Sequence, residues 1–356
     1  MKVGVITDQH FGARGDNQVF DAYFEKFYDQ FFFPTMVERG VKDLLILGDT
    51  FDRRKFINFV SLANCRRYFF DRLRDHGISV TMVVGNHDVF YKNTNDVNSP
   101  QLVLSDYENI RILTRPEVVQ FDDVRIIMMP WICPDTFDES MHMIQNEPAE
   151  CLFGHLELDG FEMYKGQPMH GGLSSHIFSR FELVCSGHFH TRSQVGNIRY
   201  LGSPYEMSWS DYDDPRGYHI FDTETRSMDF FKNPFRMFYK VFYNDENKKQ
   251  PLRVDGQGEP NLKERYVKVI VENKSDSKLF EKILNKLYGM QPHEMKVIEV
   301  IEDITSTARS EGIDVEDTIT LLDNYVDGME IGLDKDRLKA TLSSLYVEAR
   351  TLEEEV

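Results

Sequence analysis

Seven residues with metal-binding side chains follow short apolar segments of this sequence. They are two aspartates, one asparagine and four histidines: Asp8, His10, Asp49, Asn86, His155, His188 and His190. Each comes soon after, or at the end of, an apolar run that has the length of a strand. The carboxyl ends of the strands in an open α/β sheet form the edge where ligands bind. We therefore predict that one site collects all seven side chains.

The donor types indicate which ions the site would hold. Carboxylate and amide oxygens mixed with imidazole nitrogens, without cysteine, suit Mn, Fe, Zn or Co better than an all-oxygen magnesium or calcium cage. Seven ligands exceed the needs of one ion, so we predict two divalent ions that share one carboxylate. Such ions, about 3.5 to 4 Å apart, activate water for in-line displacement at a phosphoryl centre. The donor set leaves Mn, Fe and Zn open.

The combination of motifs is more specific than any one of them. A lone Gly-His pair such as Gly154 and His155 is most often part of a turn. The four residues Gly-Asn-His-Asp at 85–88 are a stronger signal, and five such motifs in order leave coincidence little room. The other histidines lack this context, and we interpret them as ordinary core or surface residues: His76, His142, His170, His176, His219 and His293.

The elements that must position these residues alternate along the first 230 residues in the rhythm of an α/β domain. Strands are predicted at 2–7, 44–47, 78–84, 124–129, 150–153, 182–185 and 218–222. Helices are predicted at about 18–39 and 56–75, and Pro34 is expected to kink or end the first. This pattern predicts a catalytic domain over residues 1–233.

The remainder of the chain has a different character. Residues 234–302 predict a small α+β domain, with strands at 265–272 and 295–300 and a helix at 277–288. An acidic linker is predicted at 303–314. Residues 315–356 then carry two apolar stripes at helical spacing, which predict a helical hairpin. The stripes are Ile319, Leu322, Val326 and Met329, and Leu338, Leu342, Leu345, Ala349 and Leu352.

Composition narrows the class of protein. No stretch approaches 18 consecutive apolar residues, so we expect a cytoplasmic protein with no membrane partner. The four cysteines have no close pairing and are predicted to be core residues. The net charge of −18 argues against tight nucleic-acid binding by the chain alone. Residues 303–356 carry half of that charge, however, and residues 232–268 are locally basic, with a net +4.

The five motifs together resemble the calcineurin-like metallophosphoesterases, whose pattern is D-x-H, GD, GNH[DE], GH and GHxH. The resemblance covers about residues 1–230 and implies a two-layer β-sandwich flanked by helices. It implies one ion on Asp8, His10, Asp49 and His190, and a second on Asp49, Asn86, His155 and His188. His87 would face the phosphate and protonate or stabilise the leaving oxygen.

The layout of the whole chain is similar to that of the SbcD-type double-strand-break repair nucleases, in particular the compact phage recombination nucleases. GDTFDRR at 48–54, GNHDVFYKN at 85–93, SGHFHT at 186–191 and DDPRGY at 213–218 carry the resemblance. It implies a Mn²⁺-dependent 3′ to 5′ exonuclease on duplex DNA and endonuclease on single strands. It also implies that residues 234–302 form a capping domain for DNA recognition, and that the protein works in the host cytoplasm if a phage encodes it. It further implies an SMC-like ATPase partner, bound by the C-terminal helices, and a homodimer, formed through the helices around 56–75 and 89–104.

Two alternatives stay open. The first is a protein or nucleotide phosphoesterase. Residues 48–54 partly match the protein-phosphatase motif GDxVDRG, and a nucleotidase could use the first 230 residues but would leave 126 residues unexplained. The other alternative is a scaffold protein that kept the fold and lost its catalytic activity. Against it, every predicted ligand position holds a residue that can bind a metal ion.

Four residues beside the ligands complete the expected site. Asp52 stands where many cellular relatives have histidine, and we predict that its carboxylate accepts a hydrogen bond from His87 and holds the proton for the leaving group. Arg53, Arg54 and Lys55 are predicted to contact DNA, with weak affinity overall because the chain has no pronounced basic stripe.

Overall fold

The computed structural model describes residues 1–164, 167–168, 171–254 and 261–299, together with Val326, Lys335 and Lys339. The chain divides into two compact units, Met1–Met237 and Phe238–Val356. The sequence analysis puts this boundary after residue 233. The predicted linker at 303–314 lies outside the described residues, as does the hairpin at 315–356 apart from the three residues named.

The first unit alternates strands and helices. Its strands are β1 Lys2–Ile6, β2 Asp43–Leu47, β3 Ser79–Val83, β4 Ile110–Leu113, β5 Glu117–Phe121, β6 Val124–Met129, β7 Cys151–His155, β8 Glu162–Tyr164, β9 Gln167–Pro168, β10 Leu183–Gly187, β11 Ser193–Val195, β12 Ile198–Tyr200, β13 Gly217–Asp222 and β14 Met228–Lys232. Its helices are α1 Ala13–Asp16, α2 Gln18–Phe27, α3 Phe33–Glu38, α4 Phe59–Cys65, α5 Asp71–Asp75, α6 Ser99–Leu104 and α7 Phe137–Asn146. Every predicted strand of this unit is present, with ends that differ by at most two residues.

Two six-stranded sheets organise the first unit. Their strand orders are β14-β13-β1-β2-β3-β4 and β11-β12-β10-β7-β6-β5. Strands β1 to β4 run parallel in the first sheet, and β6, β7, β10 and β12 run parallel in the second. Because parallel strands end at the same edge, the loops after β1, β2 and β3 emerge side by side.

The two sheets share one buried apolar core. Side chains from both sheets form it, among them Val3, Val5, Leu45, Ile126, Met128, Phe153 and Cys185. The alternate residues of the second sheet, such as Ile127 and Leu152, face the other way and pack with Ile144 of α7. The fold is therefore a two-layer β-sandwich with helices outside it, which confirms the predicted fold class.

Aromatic helices cover the outer face of the first sheet. Gly4 of β1 lies so close to Met36 of α3 that a Cβ on Gly4 would meet the Met36 methyl group at 2.7 Å. Above it, rings from two helical segments pack together, with the Tyr28 and Phe69 centroids 4.5 Å apart. The Phe31–Phe33 segment thus belongs to the packed helix surface, since Phe32 and Phe33 are buried.

The first long helix continues through Pro34, so the prediction that Pro34 could end it is wrong. A π-helical turn, Tyr28–Phe32, joins α2 to α3, and the Phe33 N–H donates to the Tyr28 carbonyl five residues earlier. This wider turn shifts the hydrogen-bond register just before Pro34, which has no N–H to donate. A second π turn, Arg66–Phe70, joins α4 to α5. The helix predicted from residue 56 begins at Phe59, where the Asn58 side chain caps it by accepting from the Val60 N–H at 2.8 Å.

Over its described residues 238–254 and 261–299, the second unit is a small sheet with one helix. Its elements are β15 Phe238–Asn244, β16 Leu252–Val254, β17 Tyr266–Asn273, α8 Ser277–Tyr288 and β18 Glu294–Glu299, in the sheet order β16-β15-β17-β18. The apolar side of α8, including Phe280 and Ile283, packs on Val241 and Val269. The two strands and the helix predicted here are confirmed, whereas β15 and β16 were not predicted. No helix among the described residues is long and apolar enough to cross a membrane.

Candidate metal centre

The carboxyl ends of parallel strands from both sheets bring the seven predicted ligands together. Asp8 and His10 follow β1, and Asp49 follows β2. Asn86 follows β3, and His155 is the last residue of β7, paired with Gly187 at the end of β10. His188 and His190 come directly after Gly187. Each ligand therefore comes from a strand end, as predicted.

Six of these residues form two clusters. In the first, ligand atoms of Asp8, His10 and His190 lie within 4.8 Å of one another, and the same is true of Asp49, His155 and His188 in the second. Asn86 belongs to the second cluster, because its Oδ1 lies 2.9 Å from His155 Nε2 and 2.9 Å from His188 Nδ1. These two groups match the two ligand sets that the resemblance implies.

Asp49 lies between the two clusters. Its Oδ2 is 3.3 Å from His155 Nε2 in one cluster and 3.8 Å from His10 Nε2 in the other. Its Oδ1 accepts the His87 main-chain N–H at 2.8 Å, which fixes the carboxylate. In the first cluster, His10 Nε2 and His190 Nε2 face each other at 3.1 Å, a convergence of lone-pair positions that suits a cation. The residues present fit two divalent ions with Asp49 as the shared ligand.

Several of the ligands occupy strained backbone. Asp8, His10 and Asp49 have φ values of 52°, 45° and 49°, and His188 has 87°. Left-handed conformations are costly for residues other than glycine and persist where the surroundings enforce them. Hydrogen bonds enforce them here: the Asp8 N–H donates to the Gly48 carbonyl at 3.1 Å, and the His188 N–H donates to the Asp8 carboxylate at 3.0 Å. These left-handed conformations direct the four side chains into the same site.

Two glycines make room for the carboxylates. A Cβ on Gly85 would overlap the main chain and carboxylate of Asp49, and a Cβ on Gly187 would overlap the Thr7 hydroxyl and approach the Asp8 carboxylate. Any larger residue at either position would displace a ligand.

Burial and charge together set the protonation of the site. Burial alone would raise the pKa of Asp49, but the His155 and His87 imidazoles outweigh it and hold the pKa well below its usual range. Burial, with the nearby charge of Asp49, raises the pKa of Asp8. Burial would lower the pKa of His10 and of His155, but adjacent carboxylates raise each pKa to about 9.

The other two histidines shift the opposite way. Burial, reinforced by the charge of His155, lowers the pKa of His188 to about 3. Burial, with His10 and Arg216 nearby, lowers the pKa of His190 well below its ordinary value. In each cluster, therefore, one imidazole holds its proton and another is ready to coordinate as the neutral ligand that metals require.

Comparison with known proteins identifies the family. Residues 1–192, more than half of the chain, match the family described as calcineurin-like phosphoesterase. The chain belongs to this family.

Individual relatives of this phosphoesterase include nucleases. The chain is 32% identical over 314 residues to "Exonuclease subunit 1" of Enterobacteria phage T4, which covers 88% of this chain and 89% of that protein. It is 23% identical over 287 residues to one subunit of the nuclease SbcCD of Staphylococcus epidermidis, with 71% and 73% covered. It is also 26% identical over 221 residues to "Putative phosphoesterase 244L" of Invertebrate iridescent virus 6, with 60% and 73% covered.

The predicted catalytic histidine of this phosphoesterase, His87, borders both clusters without belonging to either. Its Nδ1 lies 2.7 Å from the main-chain carbonyl of Asp52. A carbonyl can only accept, so Nδ1 carries the proton and Nε2 remains for other chemistry. The ring centroid is 4.9 Å from that of His10.

The predicted role of the Asp52 carboxylate needs correction. His87 does bond to Asp52, but to the main-chain carbonyl and not to the side chain. The Asp52 carboxylate instead lies 3.4 Å from His10 Nδ1. The Asp52 N–H donates to the Phe11 carbonyl at 3.1 Å, which holds this loop beside the one that carries His10. Asp52 thus orients a metal ligand through its side chain and His87 through its backbone.

Asp88 is a site residue whose role the sequence left unassigned. Its buried carboxylate accepts three main-chain N–H groups, from Gly85 at 2.9 Å and from Thr50 and Phe51 at 3.0 Å each. Burial and the charge of Asp49 raise its pKa to about 7. Asp88 therefore ties the loop after β2 to the loop after β3, and its place in the Gly-Asn-His-Asp motif was the available signal.

Arg216 supports the opposite side of the site. Its buried guanidinium donates to the His190 carbonyl and to Ser203 Oγ, the latter at 2.9 Å, and pairs with Asp211 at 2.8 Å. It thereby holds the loop that presents His190. Trp131 also borders the site, with its ring 5.3 Å from that of His188. Neither role has a spacing signal in the sequence.

The three residues predicted to contact DNA lie on the loop before α4. Arg53 forms an ion pair with Asp16 at 3.0 Å and covers the Phe56 ring at 4.8 Å. Arg54 and Lys55 border, with Phe56, a cavity of about 260 Å³. All three thus border one cavity whose lining includes none of the seven predicted ligands, and the charge of Arg53 is already paired.

Proposed function

We propose that this chain is a metal-dependent DNA nuclease, a 3′ to 5′ exonuclease on duplex DNA and an endonuclease on single strands. We further propose that it is the nuclease subunit of a recombination and repair complex with an SMC-like ATPase. The observation that carries the proposal is the likeness to "Exonuclease subunit 1" over 88% of this chain and 89% of that one. The likeness extends beyond the phosphoesterase domain, whereas a small-molecule phosphoesterase would need that domain alone.

The site supports a two-ion phosphodiesterase mechanism. Two divalent ions, for which we propose Mn²⁺, supply Lewis-acid stabilisation of the phosphoryl charge and activation of water. Asp8, His10 and His190 would hold one ion, and Asn86, His155 and His188 the other, with Asp49 shared. The Asp52 carbonyl fixes the His87 ring through Nδ1–H, so the imidazolium form of the ring would present its Nε2–H to the leaving oxygen, give it that proton and return to the neutral Nδ1–H form.

We propose that, of the three basic residues on the loop before α4, Arg54 and Lys55 make most of the contacts with DNA phosphates. Arg53 contributes less, because its charge is paired with Asp16. The net charge of −18 keeps the intrinsic DNA affinity low. The ATPase partner would then supply much of the affinity for DNA.

We also propose that α4 and α6 form a homodimer surface. Phe59 and Val60 of α4 are 87% and 53% exposed, and Leu102 of α6 is 72% exposed. Contiguous apolar side chains of this kind mark interaction sites in soluble proteins. Sedimentation velocity would show a dimer that Phe59→Glu converts to a monomer, while Val195→Glu, at a 60% exposed site on β11, leaves it intact. A monomeric wild-type chain at micromolar concentration would refute this assignment.

Digestion of labelled substrates tests the proposed activity. End-labelled duplex DNA, circular single-stranded DNA and a phosphopeptide are each incubated with the purified chain in Mn²⁺ or Mg²⁺, and Asp49→Ala serves as the inactive control. We expect 3′ to 5′ loss of label from the duplex and nicking of the circle, both with Mn²⁺. Release of phosphate from the peptide without cleavage of DNA would favour the protein-phosphatase alternative.

A further inference from the structure

A second cavity, lined largely by polar residues, lies at the open edge of the β-sandwich, and none of the predicted metal ligands lines it. It has a volume of about 230 Å³ and is lined by Arg192, Ser193, Gln194, Arg199, Tyr200, Leu201, His219 and Met228. These residues come from the β11 and β12 edge of one sheet and the β13 and β14 edge of the other. We call this cavity the arginine pocket.

The arginine pocket contains buried donors that lack partners. Arg192 Nε, Arg199 Nε and Ser193 Oγ are each buried, and within the described part of the chain none has a hydrogen-bond partner. A buried donor left unsatisfied costs on the order of 1 to 3 kcal/mol, more if it is charged. Three such groups in one cavity of this size indicate a ligand that accepts hydrogen bonds.

The charges in the arginine pocket indicate that the ligand is an anion. Among the described residues, neither Arg192 nor Arg199 forms an ion pair with a carboxylate. The acid that acts on Arg192, Asp214, is itself paired with Arg216 at 3.0 Å. Burial, reinforced by the charges of Arg192 and Arg199, lowers the pKa of His219 to about 3.

The geometry also holds Arg192 in place. Its guanidinium lies over the Phe230 ring, with Cζ 3.5 Å from the ring centroid. Gly202 approaches the same loop closely, since a Cβ there would meet the His190 carbonyl at 2.7 Å and Arg192 Cγ at 2.8 Å. The side chain is therefore pre-ordered, and binding an anion would cost it little conformational entropy.

We propose that the arginine pocket binds a phosphate group. Two guanidinium groups and a hydroxyl match the oxygens of a phosphate, for which arginine supplies charge-assisted, often bidentate, hydrogen bonds. The phosphate could belong to free phosphate or to a nucleic-acid strand that passes the metal centre, because Arg192 is two residues from His190. Only the second source rests on the proposed nuclease function.

Binding of inorganic phosphate tests the arginine pocket without any nuclease activity. The metal-free full chain is titrated with phosphate in EDTA, and its melting temperature is followed, since a ligand that binds the folded state raises it. We expect phosphate to stabilise the wild-type chain and to lose this effect in Arg192→Gln and Arg199→Gln, with partial recovery in Arg199→Lys. Arg226→Gln, on the turn between β13 and β14, is the matched control, and circular dichroism checks that each variant is folded.

Kinetics on DNA distinguish the two sources of phosphate. If the pocket binds the strand, each Arg→Gln variant should raise the KM for DNA roughly tenfold or more. Each should also lower the slope of log affinity against log salt by about one. If phosphate binding responds to the variants but the KM for DNA does not, the pocket binds free phosphate. If neither phosphate nor DNA binding differs from the Arg226→Gln control, the proposal is overturned. If the wild-type chain binds phosphate in this pocket but cleaves no DNA, the nuclease function is refuted and the pocket is not.

Discussion

The two compact units of this protein both contain parallel strands, but their strand ends carry different residues. In the first unit, parallel strands end in buried aspartates and histidines, several of them at positive φ. In the second unit, the parallel strands β15, β17 and β18 end in Asn244, Asn273 and Glu299. Among its described residues, the non-glycine residues at positive φ are Glu264 and Gln291, and both are exposed. Both candidate metal groups found among the described residues lie in the first unit.

This difference separates the energetic demands of chemistry from those of packing. The first unit maintains strained backbone and buried ionisable groups at one edge, which is a cost that functional sites bear. The second unit buries Val241, Val269 and Phe280, and the carboxylate of its buried Asp245 accepts the Ser275 and Asp276 main-chain N–H groups. Changes in the first unit should therefore affect metal binding and catalysis, while changes to the rest of the chain should affect stability or partner binding.

The largest effect is expected from Asp49→Ala. Removal of the shared carboxylate should abolish binding of both ions and reduce kcat/KM on the order of 10³-fold or more, because each ion supplies several kcal/mol of charge stabilisation. Calorimetric titration with Mn²⁺ measures the number of ions bound. Asp43→Ala, at the other end of β2, is the control, and two intact sites in Asp49→Ala would contradict the bridging role.

A somewhat smaller effect is expected from His87→Ala. The ring belongs to neither cluster, so the variant should keep both ions and its DNA affinity while hydrolysis falls roughly 10²- to 10⁴-fold. Calorimetry and single-turnover kinetics separate these quantities. His76→Ala, whose ring stacks on Phe33, is the control. If His87→Ala loses an ion, His87 is a ligand and not a proton donor.

A moderate effect is expected from pH. The pKa values of His10 and His155, raised from 6.5 to about 9 in the metal-free chain, mean that each ion must displace a proton. Apparent affinity should therefore rise by roughly tenfold per pH unit from pH 7 to about 9 and then level off. The contribution of these two groups to metal-free stability has the opposite sign: it is fully present below about pH 6.5 and lost as pH rises through about 9.

Mn²⁺ quenching of Trp131, whose ring is 5.3 Å from His188, offers a readout of this affinity that does not depend on activity. Trp131→Phe would confirm the origin of the signal. An affinity that stays flat across this pH range would show that neither histidine carries a proton in the metal-free chain.

The smallest catalytic effect is expected from truncation after Glu302. If the C-terminal helices bind the ATPase, as predicted, the shortened chain should keep its Mn²⁺-dependent cleavage within about twofold, because the ligands all lie before residue 191. It should no longer co-purify with the ATPase. Val326 of the first predicted stripe is buried. Leu342→Glu, in the second predicted stripe of the full chain, provides a milder test than truncation. Capture of the ATPase by the shortened chain with unchanged affinity would assign the segment to the fold of the catalytic subunit itself.

The clustering of the seven predicted ligands at one edge could be predicted from the sequence because residue type and strand ends are both local properties. An apolar run followed by Asp or His can be read directly, and parallel strands bring such ends together. The direction of a side chain is not local. Asp52 follows Asp49 by three residues, but its N–H donates to the Phe11 carbonyl, which holds the loop beside His10. The Asp52 carboxylate therefore lies near His10, and its main-chain carbonyl lies near His87.

Other features were missed because their causes lie far along the chain. Strands β11 and β12 have three residues each, which is too short to show an alternating pattern; β12 pairs with the parallel strand β10, and β11 pairs with β12. Arg216 stands in a polar segment, and its contact with the His190 carbonyl exists only in the folded chain. The π turn before Pro34 depends on the rings of Tyr28 and Phe32 packing against Phe69.

Electron paramagnetic resonance of the Mn²⁺-loaded chain tests the central claim most directly. If Asp49 joins two ions at the ends of these strands, titration to two equivalents should produce the spectrum of an exchange-coupled manganese pair. In Asp49→Ala that coupled spectrum should be absent. A spectrum of isolated, uncoupled ions at saturation in the wild-type chain, or saturation at a single ion, would contradict the two-ion site.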